Sequence, residues 1–410
     1  METDKQSPLP PTLAFGQPIA PKRIVIVGAS VRALAESAAR AGQAVFAADL
    51  FGDRDLLLVA SEFRHAAPYP AILPAVTAGF PAAPCLFTGG LENHPEILAA
   101  IAAERPLAGA SLPAIRWVRD PARLRGITEQ AGLQFPDTRA TPAGLPTDGS
   151  WLLKPRASAG GQGIRLWRGW CVDEQPSDRW QWQQRVTGQP WSAAFLINPN
   201  GSQLIGVCRQ LVGRDWASAK PFHWCGGLDL APESLPTPLR QQLDQLGCGL
   251  ASVPGLVGLV GVDLIRNASG GMHVIEINPR PTASMELIER TTGLSLVTAQ
   301  LSACGFGTTS TLPSRPRHQA WSKAILFAPR PLRFDDRIAA ALDATMRPWT
   351  DHDGWSAVSD LPLPPQTIPA GRPVCTVFAC GPTVPAALQI LIRRTTALAR
   401  TIQSSSTSTP

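Results

Sequence analysis

The chain has 410 residues, 44% of them hydrophobic and 17% charged, with a formal net charge of +6; this is the make-up of a water-soluble globular protein with room for two to four domains. Lys and Arg form no run, which argues against a nucleic-acid-binding face, and the most apolar run, GLVGLVGVDLI, is too short and too interrupted (by Asp263) for a membrane-spanning helix. The eight cysteines form no C-x-x-C pair, and the first 22 residues lack a basic segment followed by an apolar core, so reduced thiols, no secretory signal and a cytoplasmic location are expected.

In chain order, residues 1–20 read as a flexible Pro-rich tail. RIVIVGAS, VRALAESAARAG and AVFAAD predict strand, helix and strand, a βαβ unit of a parallel, doubly wound sheet. Its acid, Asp49, follows the first strand by about 20 residues, as in a dinucleotide fingerprint. Only Gly28 of the three fingerprint glycines is present, however, so a domain without its own cofactor is the expectation. A helical pattern around 93–104 and a short strand, AIRWVRD, close this region at 117. Region 118–305 begins with a helix at PARLRGITEQ. SWLLKPRASAGGQGIRLW follows as a hairpin with a Gly-rich tip, then strands at RWQWQQRV, WSAAFLI and SQLIGVCRQL. A helix at LRQQLDQLGCGLAS precedes a second hairpin, LVGLVGVDLIRN–ASGG–MHVIEIN, and two helices carry the chain to Cys304. Region 306–400 opens on the loop GTTSTLPSRPRHQ. It continues with strands WSKAILFAP and PVCTVFACG and a long helix, and 401–410 reads as a second tail.

Three patterns carry chemistry. The chain has only five lysines, and Lys154 ends an apolar strand just before Gly160, Gly161 and Gly163, which leave backbone N–H groups free to approach an anion. A hairpin tip with a snorkelling lysine would look the same. In the second hairpin, Glu276 and Asn278 share a strand face, and an antiparallel turn brings Asp263 opposite them. Two anionic oxygens and an amide oxygen suit Mg²⁺; the alternative is an ion pair such as Glu276 with Arg280. The segment GRDWASAKPFHWCGG presents Lys220, His223 and Trp224 either to an acceptor or to packing. Six tryptophans between 151 and 191 line an adenine pocket or pack between lobes.

The ordered set KP…SAGGQGI, WQQRVTG, GVDLI and VIEINPRP resembles the ATP-grasp superfamily of carboxylate–amine ligases over about residues 22–305, with 306–400 similar to the accessory domain of biotin-carboxylase-like members. The resemblance implies mixed α/β and α+β architecture: an N-terminal doubly wound domain (21–117), a two-lobed core (118–305) gripping ATP and Mg²⁺ or Mn²⁺, and a small C-terminal α+β domain. It implies that Lys154 contacts phosphates under a loop including Ser158, Gly160, Gly161 and Gly163. It further implies that Gln183 meets the adenine amino group, with Gln184 and Val186 on the adenine hinge. Asp263, Glu276 and Asn278 would bind the metal, and Arg280 would stabilise transferred charge. Two departures stand out. No early phosphate-binding Lys occurs near RDPARL, leaving Arg119 or Arg123, and Ser284 stands where biotin carboxylases carry a Glu base, with Glu286 nearby.

The expected activity is an ADP-forming ligase joining a small-molecule carboxylate to an amine, in small-molecule or cofactor biosynthesis. A biotin-carboxylase-like carboxylase, a non-catalytic nucleotide-binding protein and a dehydrogenase using residues 24–49 are the alternatives. A homodimer is an assembly that the resemblance allows.

Overall fold

The computed structural model describes residues 21–170, 177–307, 319–349 and 354–406. The loop at 308–318, most of GTTSTLPSRPRHQ, and the tail at 1–20 lie outside them.

Ile24, Val25, Ile26 and Val27 are all fully buried, as an unbroken β-branched run must be when both faces of its strand are covered. Their strand, Arg23–Val27, sits inside a four-stranded parallel sheet in the order Ala60–His65, Ala44–Asp49, Arg23–Val27, Cys85–Phe87. The doubly wound reading therefore holds. Asp49 is fully buried, and its carboxylate accepts hydrogen bonds from the backbone N–H groups of Val31 (3.1 Å), Phe51 and Gly52 (both 2.9 Å). It fastens its own loops. Gly28 is required for a different reason: a Cβ there would lie 1.8 Å from Thr88 Oγ1.

AIRWVRD is a correction. It is not a strand but part of the helix Leu112–Trp117, whose N-cap Ser111 accepts from the N–H of Ala114 at 3.3 Å. Pro113 in the first turn and the Ser cap outweigh the alternating pattern.

A second sheet, antiparallel, has the order Thr138–Arg139, Trp180–Gln184, Trp151–Pro155, Arg165–Leu166. Its core is aromatic: the Trp167, Trp170 and Trp182 rings meet edge to face at 5.4–5.6 Å between centroids. Five of the six tryptophans, Trp151, Trp167, Trp170, Trp180 and Trp182, thus pack within this small lobe, while Trp191 belongs to the core of the largest sheet.

The largest sheet has eight antiparallel strands in the order Met272–Asn278, Gly258–Arg266, Gln189–Asn198, Gly201–Val212, Trp224–Leu230, Ala320–Phe327, Pro373–Gly381, Val358–Ser359. The helix Thr237–Ala251 covers one part of it, and Met285–Thr292 and Leu296–Ala303 cover others. Region 306–400 contributes three strands to this same sheet, backed by the helix Val384–Ser406. The expected tail at 401 is a second correction: the helix runs on through Ser406. Among the described residues no helix is long and apolar enough to cross a membrane, and none of the described cysteines is in a disulfide.

Candidate active site

The hairpin Gly258–Arg266/Met272–Asn278 turns on Asn267. Its side-chain oxygen accepts from Gly271 N–H at 2.8 Å, and its own N–H donates to Gly271 O at 2.9 Å. That turn fixes the register as far as Leu264 opposite Val274; a one-residue bulge at Ile275 then shifts it, setting Asp263 directly opposite Glu276 and Gly261 opposite Asn278. The three oxygen-bearing side chains are thereby gathered at one end of the hairpin. Asp263 accepts from Gln210 Nε2 (2.6 Å) and from Asn278 Nδ2 (3.1 Å). Burial first, and then the facing charge of Glu276, push its carboxyl up to about 6. Two facing carboxylates, the buried one with a raised pKa, and an adjoining amide fit a hard cation, which would relieve the repulsion between them. Among the described residues no group of three or more His, Cys, Asp or Glu is placed to hold a metal ion, so this site has two carboxylates and an amide as its donors.

Glu276 pairs with Arg119 (2.9 Å) and not with Arg280. Arg280 is buried; its Nη2 donates to Glu92 (2.7 Å) and to Asn278 Oδ1 (3.1 Å). Burial opposes its charge, but Glu92, with Glu276 and Asp263, outweighs it, so the guanidinium pKa stays raised. The guanidinium lies against Gly89, where a Cβ would come within 3.2 Å of its central carbon.

Next to this cluster opens a cleft of about 280 Å³ between the small sheet and the hairpin. Lys154, Ser158, Gly160, Gly161 and Gln183 line it, together with Arg119 and Glu276. Lys154 is buried and donates to Gln183 Oε1 at 2.9 Å, while Gln183 Nε2 donates to Thr138 Oγ1 at 3.3 Å. Burial lowers the Lys154 pKa against the pull of Glu276 and Asp263. Gly163 lies outside the lining, closed against Pro155. Gln184 and Val186 are also outside it, because Gln184 alternates with Gln183 onto the exposed face of the strand. Arg123 is exposed and paired with Asp120 at 3.4 Å, so of the two candidate arginines only Arg119 reaches the cleft.

Glu92, Asn93 and Gln210 were not foreseen as site residues. Asn93 accepts from Arg119 and donates to Ser158 O at 3.1 Å, joining the N-terminal region to the Gly-rich loop. The signal was GGLEN after the buried strand Cys85–Phe87: polar residues at the carboxyl end of a parallel strand.

The Gly-rich loop rests on the 213–227 segment. Trp224 N–H donates to Gly160 O at 3.0 Å, and at Gly161 (φ +80°) a Cβ would come within 2.0 Å of Phe222 O. Close approach to protein backbone, as well as any anion, thus demands glycine here. Gly161→Ala is expected to displace the loop, at about 1–3 kcal/mol of backbone strain, and to raise the KM for nucleotide several-fold while the melting temperature of the rest of the fold holds. His223 meets Phe327 edge-on at 6.4 Å; burial and Lys220 lower its pKa, consistent with a packed neutral ring.

Glu286 is not available as a base. It is 2% exposed and sits among Arg32 (2.5 Å), Lys323 (2.6 Å) and Arg290 (3.3 Å). Despite burial, these cations hold it well below the usual carboxylate range. Ser284 is buried too, with its hydroxyl 3.3 Å from that of Ser192.

The comparisons agree with this geometry. Residues 123–284 match the model of the ATP-grasp domain. In three dimensions the chain is similar to pyruvate carboxylase of Rhizobium etli (TM-score 0.67, 15% identity, 91% of this chain), of whose length it spans 37%. It is similar to biotin carboxylase from Campylobacter jejuni (TM-score 0.66, 13% identity), covering 93% of this chain and 95% of that one. It is also similar to L-amino acid ligase from Bacillus licheniformis (TM-score 0.62, 14% identity), covering 92% and 97%. No curated protein matches the chain in sequence. Residues 123–284 thus carry the match to the ATP-grasp domain, and the overall fold of the chain is similar to that of biotin carboxylase and L-amino acid ligase.

Proposed function

We propose that the chain is an ADP-forming ligase that joins a small-molecule carboxylate to an amine, at the cleft between Lys154 and the Asp263–Glu276 pair. The reading rests on one observation above all: two facing carboxylates at the end of a lysine- and glycine-lined cleft, with a buried arginine beside them. ATP is the cosubstrate, its phosphates meeting Lys154 and the 158–161 loop. Asp263, Glu276 and Asn278 would hold Mg²⁺ or Mn²⁺, which supplies charge neutralisation between phosphate oxygens. Asn278 Oδ1 now faces Arg280, so its use as a ligand requires the amide to turn.

In the first step a carboxylate oxygen attacks the γ-phosphorus and the bond to ADP breaks. In the second the amine nitrogen attacks the acyl carbon, phosphate departs and the nitrogen loses a proton. Arg280 stabilises negative charge on the transferred group without reorganising, since Glu92 already orients it. The carboxylase alternative is disfavoured by Glu286, a locked ion-pair member, and by Ser284 at the place of the base. The reading extends to a cytoplasmic enzyme, with a homodimer as the assembly to test.

The experiment is a screen of acid–amine pairs for phosphate release and ADP formation with Mg²⁺. A pair-dependent release supports the reading. ATP turnover that needs bicarbonate and no amine, or nucleotide binding with no turnover for any pair, would overturn it.

A further inference from the structure

Away from the nucleotide cleft, a cavity of about 310 Å³ lies between loops of the N-terminal sheet and the strands of region 358–376. Its walls are mostly apolar, including Phe51, Ile325, Ile368 and Val374, but Asp53 and Asp360 also line it. Asp53 stands at the N-cap of the helix Arg54–Val59 and makes no capping hydrogen bond. It is 5% exposed, and its Oδ2 is buried with no partner.

Its acidic neighbours are all provided for. Asp49 accepts from three backbone N–H groups. Asp55 accepts from the N–H groups of Asp360 (2.8 Å) and Leu361 (3.1 Å). Asp360 accepts from Arg32 at 2.9 and 3.1 Å and from Thr376 Oγ1. Asp53 alone of these four carboxylates is left unsatisfied, in the wall of an apolar cavity. Such a group costs stability unless something binds it.

We propose that this cavity binds the amine substrate, a primary ammonium ion with an apolar body, its charged head on Asp53. The inference rests on the ligase reading above and specifies the acceptor. Position supports it. Ser30, Phe51 and Asp53 follow the carboxyl ends of the parallel strands, the edge where doubly wound sheets take ligands. Ser30 O accepts from Thr88 Oγ1 at 3.0 Å, and the next residue, Gly89, abuts Arg280. The cavity and the transferring arginine thus share one sheet edge.

Burial and the charges of Asp360, Asp49 and Asp55 raise the Asp53 pKa to about 9, against the opposing pull of Arg32; Cys375 and Arg372 also line the wall. At pH 7.5 the empty carboxyl is protonated, so capture of an ammonium ion releases one proton.

The test is calorimetry on the full chain at pH 7.5 without nucleotide, using phenethylamine, 2-phenylethanol and 3-phenylpropanoate as probes. The amine is expected to bind saturably, with an enthalpy that changes with buffer ionisation heat, and the alcohol and acid at least tenfold more weakly. Asp53→Asn should weaken the amine tenfold or more. Thr367→Trp, at an exposed position of the cavity wall, should block it with the fold intact. Equal binding of amine and alcohol, or unchanged binding in both variants, overturns the proposal. Amine capture without ATP turnover for any acid sinks the ligase reading alone. Ligation that is indifferent to Asp53→Asn sinks the acceptor site alone.

Discussion

Glu276→Gln is expected to lower the rate of ADP formation at least about a hundredfold, the scale of the charge stabilisation that a divalent cation supplies to phosphoryl transfer. The substitution keeps the size of the side chain and removes its charge. Asp263 would then face a neutral amide, and its pKa, raised partly by Glu276, would fall. A site built from one carboxylate and two amides binds Mg²⁺ weakly, because ligand charge sets affinity for hard cations. The apparent Mg²⁺ requirement should therefore rise together with the loss of rate. Folding should be spared: the Glu276 side chain is 38% exposed, and Arg119, its partner, also donates to Asn93 and to Arg156 O. A variant with normal turnover and an unchanged Mg²⁺ titration would remove the metal from Glu276 and, with it, the central element of the mechanism.

That prediction was readable from the sequence because its parts are local. Asp263 and Glu276 are separated by one turn, and period-two alternation with an ASGG turn brings them within one residue of facing; the bulge at Ile275 that completes the pairing is not legible in the pattern. The Lys154 hairpin was legible on the same grounds. What was hidden depended on long-range assembly. Glu92 and Asn93 reach Arg280 and Arg119 only through the packing of the N-terminal sheet. Arg32 lies in a helix that reads as ordinarily amphipathic, yet it is 1% exposed because Glu286 and Asp360, 254 and 328 residues away, enclose it. The strand Trp224–Leu230 was also missed: its WCGGLDL lacks β-branched residues, and its place between two long strands decides its conformation. AIRWVRD failed in the opposite sense, since a cap and a proline fixed a helix where side-chain alternation suggested a strand.

Glu286→Ala is expected to destabilise the chain by about 3–5 kcal/mol, the cost of stripping one partner from a buried ion cluster, measured as a shift in urea unfolding. Glu286 joins three parts of the molecule: Arg32 from the N-terminal helix, Arg290 from its own helix and Lys323 from the strand Ala320–Phe327. Removing it leaves these cations facing one another in an interior where Arg290 is already pushed down to about 10 by burial. The pH dependence has a definite sign. The folded-state pKa of Glu286 is depressed, so its contribution is fully present above the unfolded carboxyl value of about 4.3. It is lost only as pH falls through the lower folded value. The wild-type chain should keep this lock at pH 5, and the variant should show a smaller loss of stability between pH 4 and pH 3, having no such carboxylate left to protonate. A catalytic base would behave differently: its removal would abolish turnover and leave the unfolding midpoint where it was. Stability therefore discriminates between the two roles of Glu286 before any substrate is known.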